Sequence, residues 1–244
     1  MPHHTARART LVRLTTGEFD RGWRALGLGQ LPEPFAHLGG RGPVPPGPVD
    51  APLRDLLTLL ATGRHELHAT LRQEPGRRAM AAAAGDSGVL AVCDGDRITL
   101  STIFGKALTR TIVTAMPAMR GGPGRSVSLP SAVFDAACAA GDDLTRSLVE
   151  RKVSTADATM IGEMLSGVVG GGQFTSAVRD TLNRRKRGNH AVAFVDTEHG
   201  RYLIEQRATY NGPAWTTIAP GGIARLTNQV GRLLTDTART SGLD

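Results

Sequence analysis

Two stretches of the chain, at about 78–116 and 190–237, spell the same order of elements: strand, turn, strand, turn, strand, helix. In the first, Arg78–Ala84, Gly88–Cys93 and Arg97–Ile103 are short apolar, β-prone runs, and Asp94-Gly95 signals a hairpin between the last two. Lys106–Met116 then reads as a helix. In the second, His190–Val195, Arg201–Ala208 and Ala214–Ile218 read as strands, with turns at Asp196–Gly200 and Tyr210–Pro213. The closing helix, Ile223–Thr237, carries Leu226, Val230, Leu233 and Leu234 at helical spacing. No strong residue identity links the copies, so the repeat is one of pattern. It points to an α+β fold. A central antiparallel sheet is expected, flanked by helical bundles, with pseudo-repeated halves at about 10–125 and 126–244 in a quasi-two-fold arrangement. Two more strands, Thr10–Thr15 and His65–Arg72, widen the sheet, and its helices are expected on one face.

The remaining segments carry clear boundaries. Thr15 and Glu18 have capping-box spacing, and Phe19, Trp23 and Leu26 follow as a helical stripe that Gly27 and Gly29 end. Gly39–Pro48 is a Gly/Pro connector without regular structure. Asp50 caps a helix whose apolar face is Leu53, Leu56, Leu57 and Leu60, stopped by Gly63. Leu129-Pro130 opens a helix carrying Val133, Phe134, Ala137 and Cys138. Asp142–Val153 is a second helix. Ser154 caps a third, with Met160, Ile161, Met164, Leu165 and Val168 in register. Gly170–Gly172 break that helix, and Gln173–Asn183 gives a fourth through Phe174, Val178 and Leu182.

Composition removes several function classes. Apolar residues make up 40% of the 244, enough for a core, but aromatic residues are only 4%, so Leu, Val and Ala must fill it. Cys93 and Cys138 both sit in apolar runs and read as small buried hydrophobes, without disulfide framework or metal spacing. No apolar run approaches the roughly 20 residues of a membrane helix. No apolar h-region follows the basic Met1–Arg9, so the expected compartment is the cytoplasm.

No catalytic set is visible either. The phosphate-loop, His-Glu-x-x-His and Gly-x-Ser-x-Gly patterns are missing, and Gly27-Leu28-Gly29 follows a helix where a dinucleotide loop follows a strand. Asp94-Gly95-Asp96 and Glu198-His199 read as turn residues, and His65 and His68 fall on opposite faces of one strand. The expectation is a non-enzymatic protein with no cofactor and no metal. The net charge of +7 and the run Arg184–Arg187, with Arg179 nearby, raise a nucleic-acid-binding alternative. No aromatic residue is interleaved for base stacking, so a solvated loop is the preferred reading. Met160 and Met164 read as core, although methionine also suits an adaptable partner surface.

Taken in order, several short motifs are similar to the EspG family of ESX (type VII) secretion-associated chaperones. They are Phe19, Trp23, Leu26 and Leu31-Pro32; Val92-Cys93-Asp94-Gly95-Asp96; and Leu129-Pro130. Further along come Gly172-Gln173-Phe174 with a basic stretch behind it, and Phe194-Val195-Asp196-Thr197 running to Gly200-Arg201-Tyr202. Trp215-Thr216-Thr217-Ile218-Ala219-Pro220 completes the set. The resemblance implies one domain over 1–244 and a client that is the PPE-type protein of a PE–PPE heterodimer, or another helical secretion substrate. It further implies binding through the loop between the second and third strands, Gln73 to Arg77, and a C-terminal bundle including 154–182 and 223–237. On that basis Gln73, Glu74, Arg77, Met160, Met164, Val168, Phe174, Val230 and Leu234 are the expected partner-binding residues.

Overall fold

A computed structural model of the chain describes residues 10–40, 48–72, 76–141, 143–209 and 212–243. The connector between 41 and 47, Gln73, Glu74 and the turn at 210–211 lie outside the described residues.

The chain opens with β1 (Leu11–Thr15) and α1 (Thr16–Ala25). Thr15 caps α1: its hydroxyl accepts from the Glu18 N–H at 3.2 Å, and the Glu18 carboxylate accepts from the Thr15 N–H at 2.7 Å. A 3-10 helix (Glu33–Leu38) and α2 (Ala51–Thr62) follow. Then come the strands of the first repeat: β2 (His65–Leu71), β3 (Arg77–Ala84), β4 (Ser87–Asp94) and β5 (Arg97–Phe104), closed by α3 (Leu108–Thr114). The second part is β6 (Val127–Pro130), α4 (Ser131–Ala139), α5 (Leu144–Glu150) and α6 (Thr155–Met164). It ends with β7 (Val168–Arg179), β8 (Arg185–Arg187), β9 (Val192–Thr197), β10 (Gly200–Thr209), β11 (Gly212–Pro220) and α7 (Ile223–Thr240).

All eleven strands join one antiparallel sheet in the order β1-β5-β4-β3-β2-β7-β9-β10-β11-β6, with β8 beside the end of β7. The central joint is β2 against β7, running from His65 opposite Val178 to Leu71 opposite Gly172.

Helices cover both faces of this sheet, where one covered face was expected. The reason lies in β3, whose alanine run has no polar side. Ala79, Ala81 and Ala83 point to a core with Leu67, Phe174, Phe194 and Leu203 beneath α3 and α7. Met80 and Ala82 point the other way, to a core with Phe19, Trp23, Phe35, Leu57 and Ile98 under α1 and α2. Both faces are therefore apolar and both need cover. A third core sits beneath α4, α5 and α6, where Phe134, Leu148, Ile161 and Met164 meet Tyr202 and Ile218. The helix α7 thus lies across the sheet from α4–α6 and is not part of that bundle.

The expected helix over Gln173–Asn183 is instead the second half of β7, a 12-residue strand. A spacing of four between Phe174 and Val178 puts them on one face of a helix, but also on one face of a strand. The glycines are central-strand residues rather than a helix stop. A Cβ on Gly172 would stand 2.4 Å from the Thr70 carbonyl oxygen and 2.8 Å from the Phe194 ring. Tertiary packing decides the segment. Cys93 is buried as expected, whereas Cys138 is exposed on the outer side of α4.

The second and third cores share a face, and a charged cluster separates them. His68 pairs directly with Met80 on one side and Thr175 on the other, so all three point to that face. Glu66, one pair along, is completely buried. It accepts from Arg185 Nε at 2.8 Å, and Arg179 Nε approaches its other oxygen at 3.2 Å. His68 Nε2 lies 3.4 Å from the same carboxylate. Burial pushes the Glu66 carboxyl up, but the hydrogen bond to His68 and the charge of Arg185 outweigh it and hold it below its ordinary value. Burial lowers His68, with Glu66 opposing and Arg185 adding to the effect.

Candidate functional site

The β2–β3 connection, the head of β7 and the β9–β10 turn all emerge at one end of the sheet, because the strands between them alternate in direction. The Arg72 N–H donates to the Gly171 carbonyl at 2.8 Å, which fixes the start of the β2–β3 connection against β7. Three residues further back, Val168 is 59% exposed, at the point where the chain leaves α6. The Glu198 N–H donates to the Gly167 carbonyl at 3.1 Å and ties the β9–β10 turn to the same place. On the other side of the connection, Arg77 pairs with Asp94 at 2.5 Å and donates to the Ala115 carbonyl at 3.3 Å.

A strap from Pro117 to Pro123 crosses this end. Arg201, buried at the start of β10, makes a two-pronged pair with Asp196 at 2.6 and 2.8 Å and donates to the Pro117 carbonyl at 3.2 Å. Its guanidinium also lies 4.4 Å over the Phe194 ring centre. The backbone exchanges bonds too: Arg201 N–H donates to the Arg120 carbonyl, and Gly122 N–H to the Arg201 carbonyl. Tyr202 donates its hydroxyl to the Pro123 carbonyl at 3.0 Å. Between strap and α6 a cavity of about 350 Å³ remains.

The expected partner-binding residues divide accordingly. Arg77 and Val168 lie toward this end of the sheet on β3 and β7, and half-buried Met160 and buried Met164 line the cavity beside Tyr202; Arg77 is on the α3 side, away from the methionines. Gln73 and Glu74 lie outside the described residues, although Arg72 fixes where their connection begins. Phe174 and Val230 are wholly buried core, and half-buried Leu234 packs against that same core on the opposite face. None of these three forms part of an interface on α4–α6. Sequence reasoning gave no role to Tyr202 or Gly124, whose contacts are not local: Tyr202 bonds Pro123, 79 residues away, and Gly124 packs on Met160 and Met164.

The basic run is not a loop but β8 and its approach. Arg185 and Arg179 turn inward to Glu66, Arg184 pairs with Asp180 at 2.7 Å, and Arg187 pairs with Glu33. Lys186 donates to the Ser241 carbonyl at 3.0 Å. Arg185 and Arg179 are thus committed to Glu66, while the pairs of Arg184 and Arg187 are exposed and Lys186 stays exposed beside them. Among the described residues no group of three His, Cys, Asp or Glu could hold a metal ion, and no helix is long and apolar enough to cross a membrane.

The sequence profile of the EspG family matches residues 33–232, most of the chain. The chain belongs to the EspG family of ESX secretion chaperones. Among solved structures, it is similar to the Mycobacterium tuberculosis type VII secretion system chaperone EspG5, solved in complex with a PE25–PPE41 dimer. The TM-score is 0.72 at 17% identity, over 93% of this chain and 96% of that one. At that identity the likeness speaks for the EspG fold alone. Full-length peroxisomal multifunctional enzyme type 2 from Drosophila melanogaster aligns at a TM-score of 0.17 and 10% identity, over 87% of this chain and 48% of that one, and carries no argument. No curated protein sequence matches.

Proposed function

We propose that this EspG protein is a cytoplasmic chaperone that caps the apolar helical tip of a PPE-type subunit in a PE–PPE pair, or of another helical secretion substrate. The observation that carries the reading is the 2.8 Å bond from Arg72 to Gly171. It holds Arg72, where the β2–β3 connection begins, against the strand that opens at exposed Val168 just past α6, whereas α7, the other part of the bundle named by the resemblance, lies over the opposite face. EspG5, of the same fold, was solved with a PE25–PPE41 dimer. The physical need is plain, since an exposed apolar helical tip aggregates unless covered. We assign the interface to 72–77, Met160, Val168 and the α4–α6 bundle. Co-expression with the PE–PPE pairs of the same genome tests it. A stable ternary complex with improved client solubility is expected, and failure of every pair to co-purify overturns it.

We further propose that the chain is a single domain whose halves are related by a quasi-two-fold axis through the β2–β7 joint. The strand order supports this. Inward from one edge it runs β1-β5-β4-β3-β2, and from the other β6-β11-β10-β9-β7. In addition, α1 follows β1 as α4 follows β6, and α3 follows β5 as α7 follows β11. Superposing 65–114 on 168–240 tests it, and a fit no better than for unrelated hairpin pairs discards the axis.

A further inference from the structure

We infer that a notch between β10 and α7 is a second docking site, one that takes an extended peptide carrying Asp or Glu. It lies apart from the proposed client interface and goes beyond that reading. β10 leaves the client end of the sheet at Gly200, and Arg207 stands seven residues on, roughly 23 Å away along the strand.

The notch exists because β9 is shorter than its neighbour. β9 starts at Val192, opposite Glu205, whereas β10 runs on to Thr209. Beyond Glu205, β10 is paired only with β11 among the described residues. The chain ahead of β9 does not fill the gap: Arg185–Arg187 are paired to the end of β7, and the Gly188 N–H donates to the Ser176 carbonyl at 2.8 Å. Gln206 and Arg207 therefore border a space of about 180 Å³ on the side that β9 leaves open. A free strand edge is a template for another strand, whose main chain supplies the affinity. The wall of the space is α7, where Gln229, Arg232 and Asp236 recur at helical spacing on the flank next to buried Leu226, Val230 and Leu233.

Charge selects the occupant. Glu205 is paired with Arg207 at 3.3 Å and Asp236 with Arg239 at 3.2 Å, so each acid at the notch already has its arginine. Arg232 is exposed and has no ion-pair or hydrogen-bond partner among the described residues. An uncommitted guanidinium beside an open edge matches a carboxylate carried on the added strand, and disfavours a strand carrying a cation there. Glu205 and Asp236 in the same lining repel a run of phosphates, while the Gln229 amide and the strand edge suit peptide groups. The matching chemistry is that of an acidic peptide rather than a nucleic acid.

The test probes the full chain with an array of β-prone synthetic hexapeptides, graded from Asp/Glu-rich to Lys/Arg-rich, and with a labelled oligonucleotide. Binding should rise with acidic content, and the best peptide should shift the backbone amide signals of Gln206 and Arg207 in a ¹⁵N spectrum. Arg232→Glu should weaken that peptide about tenfold. Methylating the peptide's backbone nitrogens, which removes edge hydrogen bonds but no charge, should abolish binding. No bound peptide, binding that ignores charge, Gln206 and Arg207 signals that stay in place, or equal affinity in a folded Arg232→Glu overturns the inference. So does an oligonucleotide that binds more tightly than every peptide and moves the same signals. A second arm uses a PE–PPE dimer that co-purifies with the unaltered chain, and Arg232→Glu should leave its affinity unchanged. Loss of the dimer in that folded variant would merge the two sites and remove the separate one. Peptide binding at the notch with no dimer ever captured supports the notch and removes the chaperone reading.

Discussion

Glu66 and Arg185, 119 residues apart in sequence, meet at 2.8 Å on the buried face of the central joint. The carboxylate belongs to β2 and the guanidinium to β8, so the pair spans the seam between the two parts of the sheet. Removing Glu66 takes away the one carboxylate that partly buried Arg185 and Arg179 both face. Glu66→Leu alone should therefore destabilise the chain by about 3–5 kcal/mol. Combining it with Arg185→Met should recover a good part of that loss, because two apolar residues bury without penalty. Urea unfolding of the single and double variants measures both, and additive losses would show that the pair is not coupled.

His68 makes stability depend on pH. Burial lowers its pKa from the ordinary 6.5, so the folded chain refuses a proton that the unfolded chain accepts. His68 contributes no penalty above about pH 6.5, and stability falls as pH drops through that value toward the lower folded one. His37 and His65 are lowered as well, first by burial and then by neighbouring arginines, and act in the same direction. The urea midpoint should fall between pH 7.5 and pH 5.5, with His68→Gln flattening the slope. Glu66 adds a second loss as pH falls below its ordinary 4.5, since its folded value is lowered too. A midpoint that rises on acidification would contradict this account.

Gly172→Ala should be costly out of proportion to one methyl group. The new Cβ meets a backbone oxygen of β2 at 2.4 Å, which no side-chain rotation relieves. A loss of about 1–3 kcal/mol follows from forced strand movement. Gly17, where a Cβ would meet nothing within 4 Å, serves as the control: Gly17→Ala should leave the thermal midpoint unchanged or raise it slightly.

Val168→Glu separates binding from folding. The side chain is exposed, so stability should change by less than about 0.5 kcal/mol. Client affinity should drop at least about tenfold, because an anionic group enters an apolar contact. Isothermal titration with a co-purifying dimer reads the affinity, and thermal melting reads the fold. Full affinity in a folded variant would move the interface elsewhere.

The doubled hairpin plan was legible because its signals are local: the short apolar, β-prone runs at 78–84 and 97–103, and Asp94-Gly95 between strands. The capping box at Thr15 and Glu18 was legible for the same reason. Gln173–Asn183 misled because Phe174 and Val178 satisfy helix and strand equally. What decides between them is the backbone of Thr70 and the ring of Phe194, neither local. Of the expected partner-binding residues, Met160 and Val168 are at least partly exposed, whereas Phe174 and Val230 carry the same apolar signature and are core. An apolar residue does not announce which face of a two-faced sheet will receive it. Likewise, Arg184, Lys186 and Arg187 are exposed as a solvated cluster should be, and only the fold shows that Arg185 among them turns in to Glu66.

The joint of β2 with β7 has a consequence during synthesis. Leu67 leaves the ribosome about 110 residues before its partner Ser176, which at ordinary translation speed is a wait of roughly 5–20 s. For that interval the newborn half-sheet presents a bare strand edge, the same hazard of unprotected association that a capped client escapes. A guardian of other chains therefore passes through a stage in which it needs guarding itself.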